Sequence, residues 1–333
     1  MSILSRPYFH DEQAAFDYVE AALWPQGPIC PHCGCTGRVS ALAPFAGSKS
    51  KKNPGGAIRY GLKFCGQCRR QFTVRVGTIF EESKLPMTKW LQAIFLMCSS
   101  KKGVSAHQLH RTLETTYKTA WFLAHRIREA MRDGELGPFG LGGATVEVDE
   151  TFIGRNPNNP DPAPGKKATV HNKITVVSLL ERETGRSRSF VAEALDISSV
   201  IPIVEANLSR EAKLRTDESK LYTTMGRDYR EHETVNHAAE EYVRRNEPTV
   251  HINTIEGYFS LFKRGMRGVY QHCAPKHLHR YLAEFDFRYG YRVGLGVDDQ
   301  QRAQIALSGV AGRRLTYRPT RSGFPSAQAG AQA

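Results

Sequence analysis

The sequence predicts a modular α/β chain: a small cysteine-rich ribbon, a helical segment, and then a mixed α/β domain. Three observations predict it. Two CxxC pairs stand near the start, Cys30-Pro31-His32-Cys33 and Cys65-Gly66-Gln67-Cys68. Apolar residues recur at helical spacing between Lys84 and Met131. From Ala144 the pattern changes to short alternating runs, strands grouped first and helices later, which indicates a mixed sheet with flanking helices and at least one hairpin.

Residues 1–26 read as an N-terminal helix. Phe16, Val19 and Leu23 fall at helical spacing within Asp11 to Leu23, and Trp24-Pro25 ends the run. Residues 27–80 read as the ribbon. Each CxxC sets two sulfurs on one tight turn, eased by Gly34 and Gly66, and four thiolates suit tetrahedral Zn²⁺. Cys30, Cys33, Cys65 and Cys68 are therefore the expected ligands of one structural Zn²⁺, on which the ribbon's fold depends. Cys35 is close enough to compete, but the CxxC register favours Cys33. Strands are expected around Ile58–Phe64 and Gln71–Val74, with a basic, Gly-rich loop from Lys49 to Gly56. Disulfides are the rival use of these cysteines and would suit an exported chain. The first residues, Met1 to Tyr8, show neither the apolar run nor the cleavage pattern of a signal peptide. No stretch approaches the roughly 18 apolar residues of a membrane span. The chain is expected in the cytoplasm, with its thiols reduced.

Residues 81–135 read as helical. Lys84 to Met97 is apolar, and Pro86 suits its first turn. Ser105 is an N-cap candidate for a short helix reaching Leu113, and another runs from Tyr117 to Met131. Two short helices joined by a tight turn and flanked by Lys101, Lys102, Lys118 and Arg126 are similar to a helix-turn-helix; the alternative is a plain helical hairpin. Charge favours the first. The formal net charge is +13, and residues 49–132 alone hold 17 Lys/Arg against four Glu. A basic excess confined to one folded module points to phosphate contacts. A fragment of residues 1–135 is expected to carry most DNA binding.

Gly134 to Gly143 reads as a linker, and residues 144–292 as the α/β domain. Thr145 to Phe152 alternates like a strand, Gly154 to Gly165 is loop-like, and strands follow at Lys173–Leu180 and Ser187–Val191 around a Glu183-Thr184-Gly185 turn. Ser198 to Leu208 looks helical, Lys213–Thr216 and Thr234–Asn236 look extended, and Ile252 to Lys263 and Pro275 to Phe287 look helical. Residues 293–333 read as a C-terminal extension, disordered beyond Arg318, where Ser, Ala, Gly and Gln dominate.

Three carboxylates stand out within this domain. Asp149 interrupts a strand otherwise poor in polar residues, Asp217 ends another, and Glu256 lies on a helix. Carboxylates converging from two strands and a helix could hold two divalent cations, since Mg²⁺ prefers oxygen ligands and keeps several waters. Such a pair suits phosphoryl transfer. At about 100° per residue, Asn253, Ser260 and Lys263 share the face of Glu256. A solvated helix face with an incidental Glu is the competing reading. Strand alternation turns Glu150 away from Asp149.

In order along the chain, these segments resemble the insertion-sequence transposases of the IS1595 (ISXO2-like) group. The resemblance rests on Cys30-Pro31-His32-Cys33-Gly34, on Phe64-Cys65 through Cys68-Arg69-Arg70-Gln71-Phe72, and on Val146-Glu147-Val148-Asp149-Glu150-Thr151-Phe152-Ile153-Gly154. It continues through Thr216-Asp217-Glu218, Val235-Asn236-His237, His251-Ile252-Asn253-Thr254-Ile255-Glu256-Gly257, Lys263-Arg264-Gly265 and Pro275 to Phe285. It implies an RNase H-like catalytic domain in which Asp149, Asp217 and Glu256 form a DDE triad binding Mg²⁺ or Mn²⁺, and Lys263 is the basic residue that follows the Glu. Asn253 is the alternative third ligand, because related elements can use Asn there. His237 and His251 match family positions, as structural or as catalytic histidines. The expected partners are the element's terminal inverted repeats and target DNA, bound by a homodimer or larger assembly on the bacterial nucleoid. Two rivals remain: an RNase H-like nuclease that cuts without joining, and a non-catalytic zinc-ribbon regulator derived from a transposase.

Overall fold

The computed structural model describes residues 2–46, 58–132, 134, 137–159, 167, 169–223, 225–235, 243–244 and 247–316. The Lys49–Gly56 loop, part of the loop after Gly154, His237 and the tail beyond Arg318 lie outside the described residues.

Helix α1 (Glu12–Leu23) starts where the Asp11 carboxylate accepts the Ala14 N–H at 2.7 Å, and it buries Ala15, Phe16 and Val19. The ribbon follows with β1 (Val39–Ala41), β2 (Phe45–Ala46), β3 (Ile58–Arg59), β4 (Lys63–Cys65) and β5 (Gln71–Phe72). β1, β4 and β5 form an antiparallel sheet, and β2 pairs with β3. The single strand expected over Ile58–Phe64 is in fact two, because Gly61 breaks it with φ +64. A Cβ on Gly61 would stand 2.5 Å from the Phe16 ring and 2.8 Å from the Glu20 carboxylate. The ribbon therefore reaches α1 through bare backbone, and Lys63 pairs with Glu20 at 2.7 Å beside it.

Three helices come next, α2 (Met87–Ser99), α3 (Ala106–Thr112) and α4 (Tyr117–Ala130). Ser105 caps α3 by accepting the Gln108 N–H at 3.1 Å, as expected, and Thr116 caps α4 through Thr119 at 3.2 Å. α2 buries Met87, Trp90, Leu91, Ala93, Ile94, Met97 and Cys98, so it is apolar on most sides and forms the centre of a helical core.

The linker before the α/β domain holds a core residue. Phe139 is fully buried, with the Arg186 guanidinium 4.5 Å and the Arg188 guanidinium 5.1 Å from its ring centre. β6 (Thr145–Ile153), β7 (Ile174–Glu181), β8 (Ser187–Ala192), β9 (Lys213–Asp217) and β10 (Glu231–Val235) form one five-stranded sheet in the order β10-β9-β6-β7-β8. β6, β7 and β8 are an antiparallel meander, while β9 runs parallel to β6 and β10 parallel to β9. α5 (Ile197–Asn207) and α6 (Lys220–Thr223) cover one face, and α7 (Asn253–Gly265) and α8 (Leu278–Gly290) the other. β7 is buried along its whole length, as a strand covered on both faces must be. In β6 the alternation is physical: Val146 and Val148 join the core beneath α5 and α6, whereas Ile153 packs against the α7–α8 core.

The chain ends its described course with α9 (Asp299–Ser308), a helix inside the segment expected to be a C-terminal extension. Asp298 and Gln301 cap it reciprocally, at 2.8 and 2.9 Å. Ala306, Leu307 and Val310 return to the helical core of α1, α2 and α4. A second tie joins α4 to α8. Arg128 Nε donates to Glu284 Oε2 at 2.7 Å with both side chains buried, and Arg288 and Tyr270 complete the cluster. Burial alone would raise the Glu284 carboxyl, but the guanidiniums of Arg288 and Arg128 hold it below the usual range. A fragment of residues 1–135 would lack both α9 and this partner of Arg128, so binding is best measured on the full chain.

Candidate active site and metal centre

The four predicted cysteines meet. Cys30 Sγ lies 3.6 Å from Cys68 Sγ, and Cys33 Sγ 3.6 Å from Cys65 Sγ. All four sulfurs lie within 4.8 Å of one another. Four sulfurs at about 2.3 Å from one Zn²⁺ would be about 3.8 Å apart, whereas a disulfide brings its sulfurs to about 2.05 Å. The set fits a zinc ion and is not a pair of disulfides. Cys35 is left out of the cluster and instead accepts the Cys30 N–H through its carbonyl at 3.0 Å.

In the α/β domain, β9 lies beside β6 with Val146 opposite Leu214 and Glu147 opposite Arg215. The ladder ends there, and Asp149 and Asp217 each follow two residues beyond its last pair. α7 packs over β6 and β7 and brings Glu256 from the helix side. Asp149 feels the other two acids. Burial first, and then the negative charges of Glu150, Asp217 and Glu256, raise Asp149 well above the usual carboxylate range. The Glu150 N–H, donated to Asp149 Oδ1 at 2.8 Å, works the other way. Asp217 Oδ1 accepts the Ser219 N–H at 3.0 Å. A half-buried set of mutually repelling carboxylates is an oxygen donor set suited to hard divalent cations. Their spacing is looser than that of the cysteines, which are the one group of three or more possible ligands within 4.8 Å among the described residues.

Lys263 falls where helical phase put it. Burial and the nearby Arg267 lower its ammonium pKa, Asp149 pulls it up, and Lys173 lowers it again. Lys263 thus lies near Asp149 and near two further cations, Arg267 and Lys173. Lys173 precedes β7, and Arg267 lies one turn beyond Lys263, so nothing local in the sequence marked either. Glu150 behaves as alternation predicts: it faces α6, where the Tyr222 hydroxyl donates to it at 2.6 Å, and burial pushes it up to about 7. Glu218 is exposed. Asn253 is exposed at the start of α7. His251 is tied to Arg182, whose guanidinium donates to His251 Nδ1 at 3.1 Å, which gives it a structural place.

The basic module divides cleanly. Lys63, Arg75, Lys89, Arg126 and Arg128 are spent inside the fold: Arg75 on the Ser83 and Leu85 carbonyls, Lys89 on the Leu113 carbonyl, Arg126 on the Glu81 carbonyl. Lys101, Lys102, Arg111 and Lys118 are exposed around α3 and the start of α4, while the last turns of α4 are buried. No helix among the described residues is long and apolar enough to cross a membrane.

The chain thus combines a Cys₄ ribbon, helices and an α/β domain with clustered acids. Comparison with known families makes this particular. Residues 140–290 match the ISXO2-like transposase domain, and residues 10–71 match the transposase zinc-ribbon domain. Two separate stretches of the chain are thus similar to domains of transposases. The chain is similar along most of its length to a protein in the transposable element ISH50 of Halobacterium salinarum, with 26% identity over 298 residues, covering 84% of this chain and 91% of that protein. The cysteine cluster and the ribbon match together support a structural Zn²⁺.

Proposed function

We propose that this chain is a DNA transposase that binds the terminal inverted repeats of an insertion sequence and catalyses metal-dependent strand cleavage and strand transfer. One observation carries the reading: Asp149, Asp217 and Glu256 converge from two adjacent strands and a helix inside the segment that matches the transposase domain. The α/β domain is read as RNase H-like. Its order, with the first strand central between an antiparallel meander and two parallel strands, supports that reading.

Asp149, Asp217 and Glu256 would hold Mg²⁺ or Mn²⁺. Bound there, the ions would activate the attacking oxygen and stabilise the leaving one in an in-line displacement. The chain's own groups do the rest. The sheet and α7 hold three negative charges close together against their repulsion. Lys263 lies near Asp149, with Lys173 and Arg267 near it in turn, and neutralises DNA phosphates next to the carboxylates. The ribbon and the α3–α4 surface grip the repeat, and a dimer or larger assembly brings two ends together.

The test is a labelled inverted-repeat end incubated with the full-length protein, Mg²⁺ and a target plasmid. The expected result is a cut at the end of the repeat followed by its covalent joining to the plasmid. Cutting with no joined product would make this a nuclease. Repeat binding with no metal-dependent chemistry would make it a regulator.

Binding itself should weaken steeply with salt, since each phosphate contact contributes a slope of about −0.9 in log affinity against log salt. Replacing Lys101, Lys102, Arg111 and Lys118 with alanine should flatten that slope by about one unit per lost contact. Fluorescence anisotropy over a salt series reads it. An unchanged slope would remove the α3–α4 face from the DNA surface.

A further inference from the structure

We infer that Glu147 is a positioning residue for Glu256: its buried carboxylate caps the first turn of α7 and, with Arg182, fixes how that helix presents Glu256 to Asp149 and Asp217. The inference rests on the reading of those three acids as a metal-holding set.

α7 lacks a cap of its own. The residue before it is Ile252, buried and apolar, and makes no side-chain hydrogen bond to the helix. The first N–H groups of a helix need acceptors. One comes from another element altogether: Ile255 N–H donates to Glu147 Oε2 at 2.7 Å. Glu147 is fully buried on β6, two residues before Asp149 and so on the same face of the sheet. Its other oxygen accepts Arg182 Nε at 2.5 Å. Arg182 spreads from there to the chain entering α7, donating to the Thr249 carbonyl at 2.6 Å, to His251 Nδ1 at 3.1 Å and to the His251 carbonyl. The Asn253 N–H also points at His251 Nδ1, at 3.3 Å. A nitrogen facing two donors carries no proton, so the ring is neutral and its 3.6 Å approach to Glu147 is no ion pair. Burial, and after it Arg182, lower the His251 pKa in agreement.

This arrangement does something an ordinary cap does not. A Ser or Asp at the residue before the helix would satisfy the same N–H at a cost of little buried charge, whereas burying an ion costs several kcal/mol before its partners compensate. A local cap moves with its helix and sets nothing outside it. Glu147 instead locks the first turn of α7 to the strand that carries Asp149. The residue bonded to it is Ile255, whose neighbour is Glu256. One carboxylate on β6 thus sets the spacing between two proposed ligands, one on the strand and one on the helix.

The experiment uses full-length protein and Mn²⁺ binding measured by calorimetry or electron paramagnetic resonance, beside thermal unfolding and inverted-repeat binding without metal. Glu147→Asp keeps the charge but draws it back from Ile255; Glu147→Gln keeps the reach but loses the charge. Both should bind Mn²⁺ about 10–100-fold more weakly, the usual effect of disturbing a group behind a metal ligand, while repeat binding stays unchanged. Arg182→Lys, which leaves Glu147 ionised but removes the fork to Thr249 and His251, should weaken Mn²⁺ in the same direction and serves if the Glu147 variants do not fold. Wild-type Mn²⁺ affinity in folded Glu147 variants, or in Arg182→Lys where those do not fold, overturns the inference. Absence of Mn²⁺ binding by the wild-type chain would instead overturn the reading of the three acids as a metal site.

Discussion

Asp149→Asn, Asp217→Asn and Glu256→Gln should each abolish Mg²⁺-dependent cleavage and joining, with losses well beyond the roughly 10–100-fold expected of a group behind the ligands. The amides keep size and shape but lose the negative charge needed to hold divalent cations close together. The same variants should fold at least as well as the wild type. Asp149 is burdened by burial and by the charges of Glu150, Asp217 and Glu256, so a neutral group there relieves repulsion in the metal-free chain. Asn retains an oxygen for the Glu150 N–H that Asp149 now accepts at 2.8 Å. Asp149→Asn should therefore melt at a higher temperature than wild type in the presence of chelator. Added Mg²⁺ or Mn²⁺ should stabilise the wild type by preferential binding to the folded state and leave the variant unmoved. A stability gain coupled to lost activity is the signature of a site kept charged for its chemistry rather than for folding.

The controls are set by geometry. Glu218→Gln alters an exposed neighbour, and Glu150→Gln alters a carboxylate held by Tyr222 on the opposite face of β6; both should retain cleavage. Lys263→Ala should weaken engagement of the DNA end and reduce joining without loss of metal binding. If Glu256→Gln cut as well as wild type while Asn253→Ala were dead, the third ligand would be Asn253. If all three acids could be neutralised with full activity, the metal-dependent reading would fail.

Much of this was legible in the sequence, for identifiable reasons. β6, β7, β8 and β9 declare themselves by alternation or by a run of apolar residues, and α1 to α4 by periodicity, with Ser105 as the cap of α3. The cysteines could be assigned because spacing within a CxxC turn is local. Strand alternation could turn Glu150 away from Asp149, in accord with its contact to Tyr222, whereas the set of three acids came from the family resemblance. What stayed hidden is what depends on contacts between distant segments. Nothing near Glu147 says that it caps a helix 108 residues away. Lys173 and Arg267 join Lys263 only once α7 is laid across the sheet. β1 and β2 are too short for any pattern, and Phe139 looks like linker until the sheet closes over it. α9 was a different kind of miss: Asp298 and Gln301 spell a capping box that was there to be read.

The second large effect should come from the ribbon. Protein purified without chelator should carry one Zn²⁺ per chain, and its removal should unfold residues 27–80 while the α/β domain persists. The reason is the size of the ribbon's core. Around the cysteines the buried residues are Cys30, Cys65 and Phe72, with Trp24, Cys35, Val39, Cys68 and Val76 packed partly against them, while Val74, Ile79 and Phe80 belong to the helical core. Its sheet is three strands of two or three residues each, and so few apolar groups cannot offset the chain entropy of the ribbon. Structural Zn²⁺ supplies about 10–16 kcal/mol of folding free energy in small zinc modules. The loss should spread to the contact between Lys63 and Glu20, where the ribbon meets α1, and repeat binding should fall with it. Cys30→Ser, Cys33→Ser, Cys65→Ser and Cys68→Ser should each release the metal and open the ribbon to proteolysis. Cys35→Ser is the discriminating variant, because Cys35 lies outside the four-sulfur cluster and holds the Cys30 turn through its backbone carbonyl. It should keep its zinc. Zinc lost from Cys35→Ser but retained in Cys33→Ser would move the fourth ligand to Cys35, and a metal-free wild-type chain with an intact ribbon would end the zinc assignment.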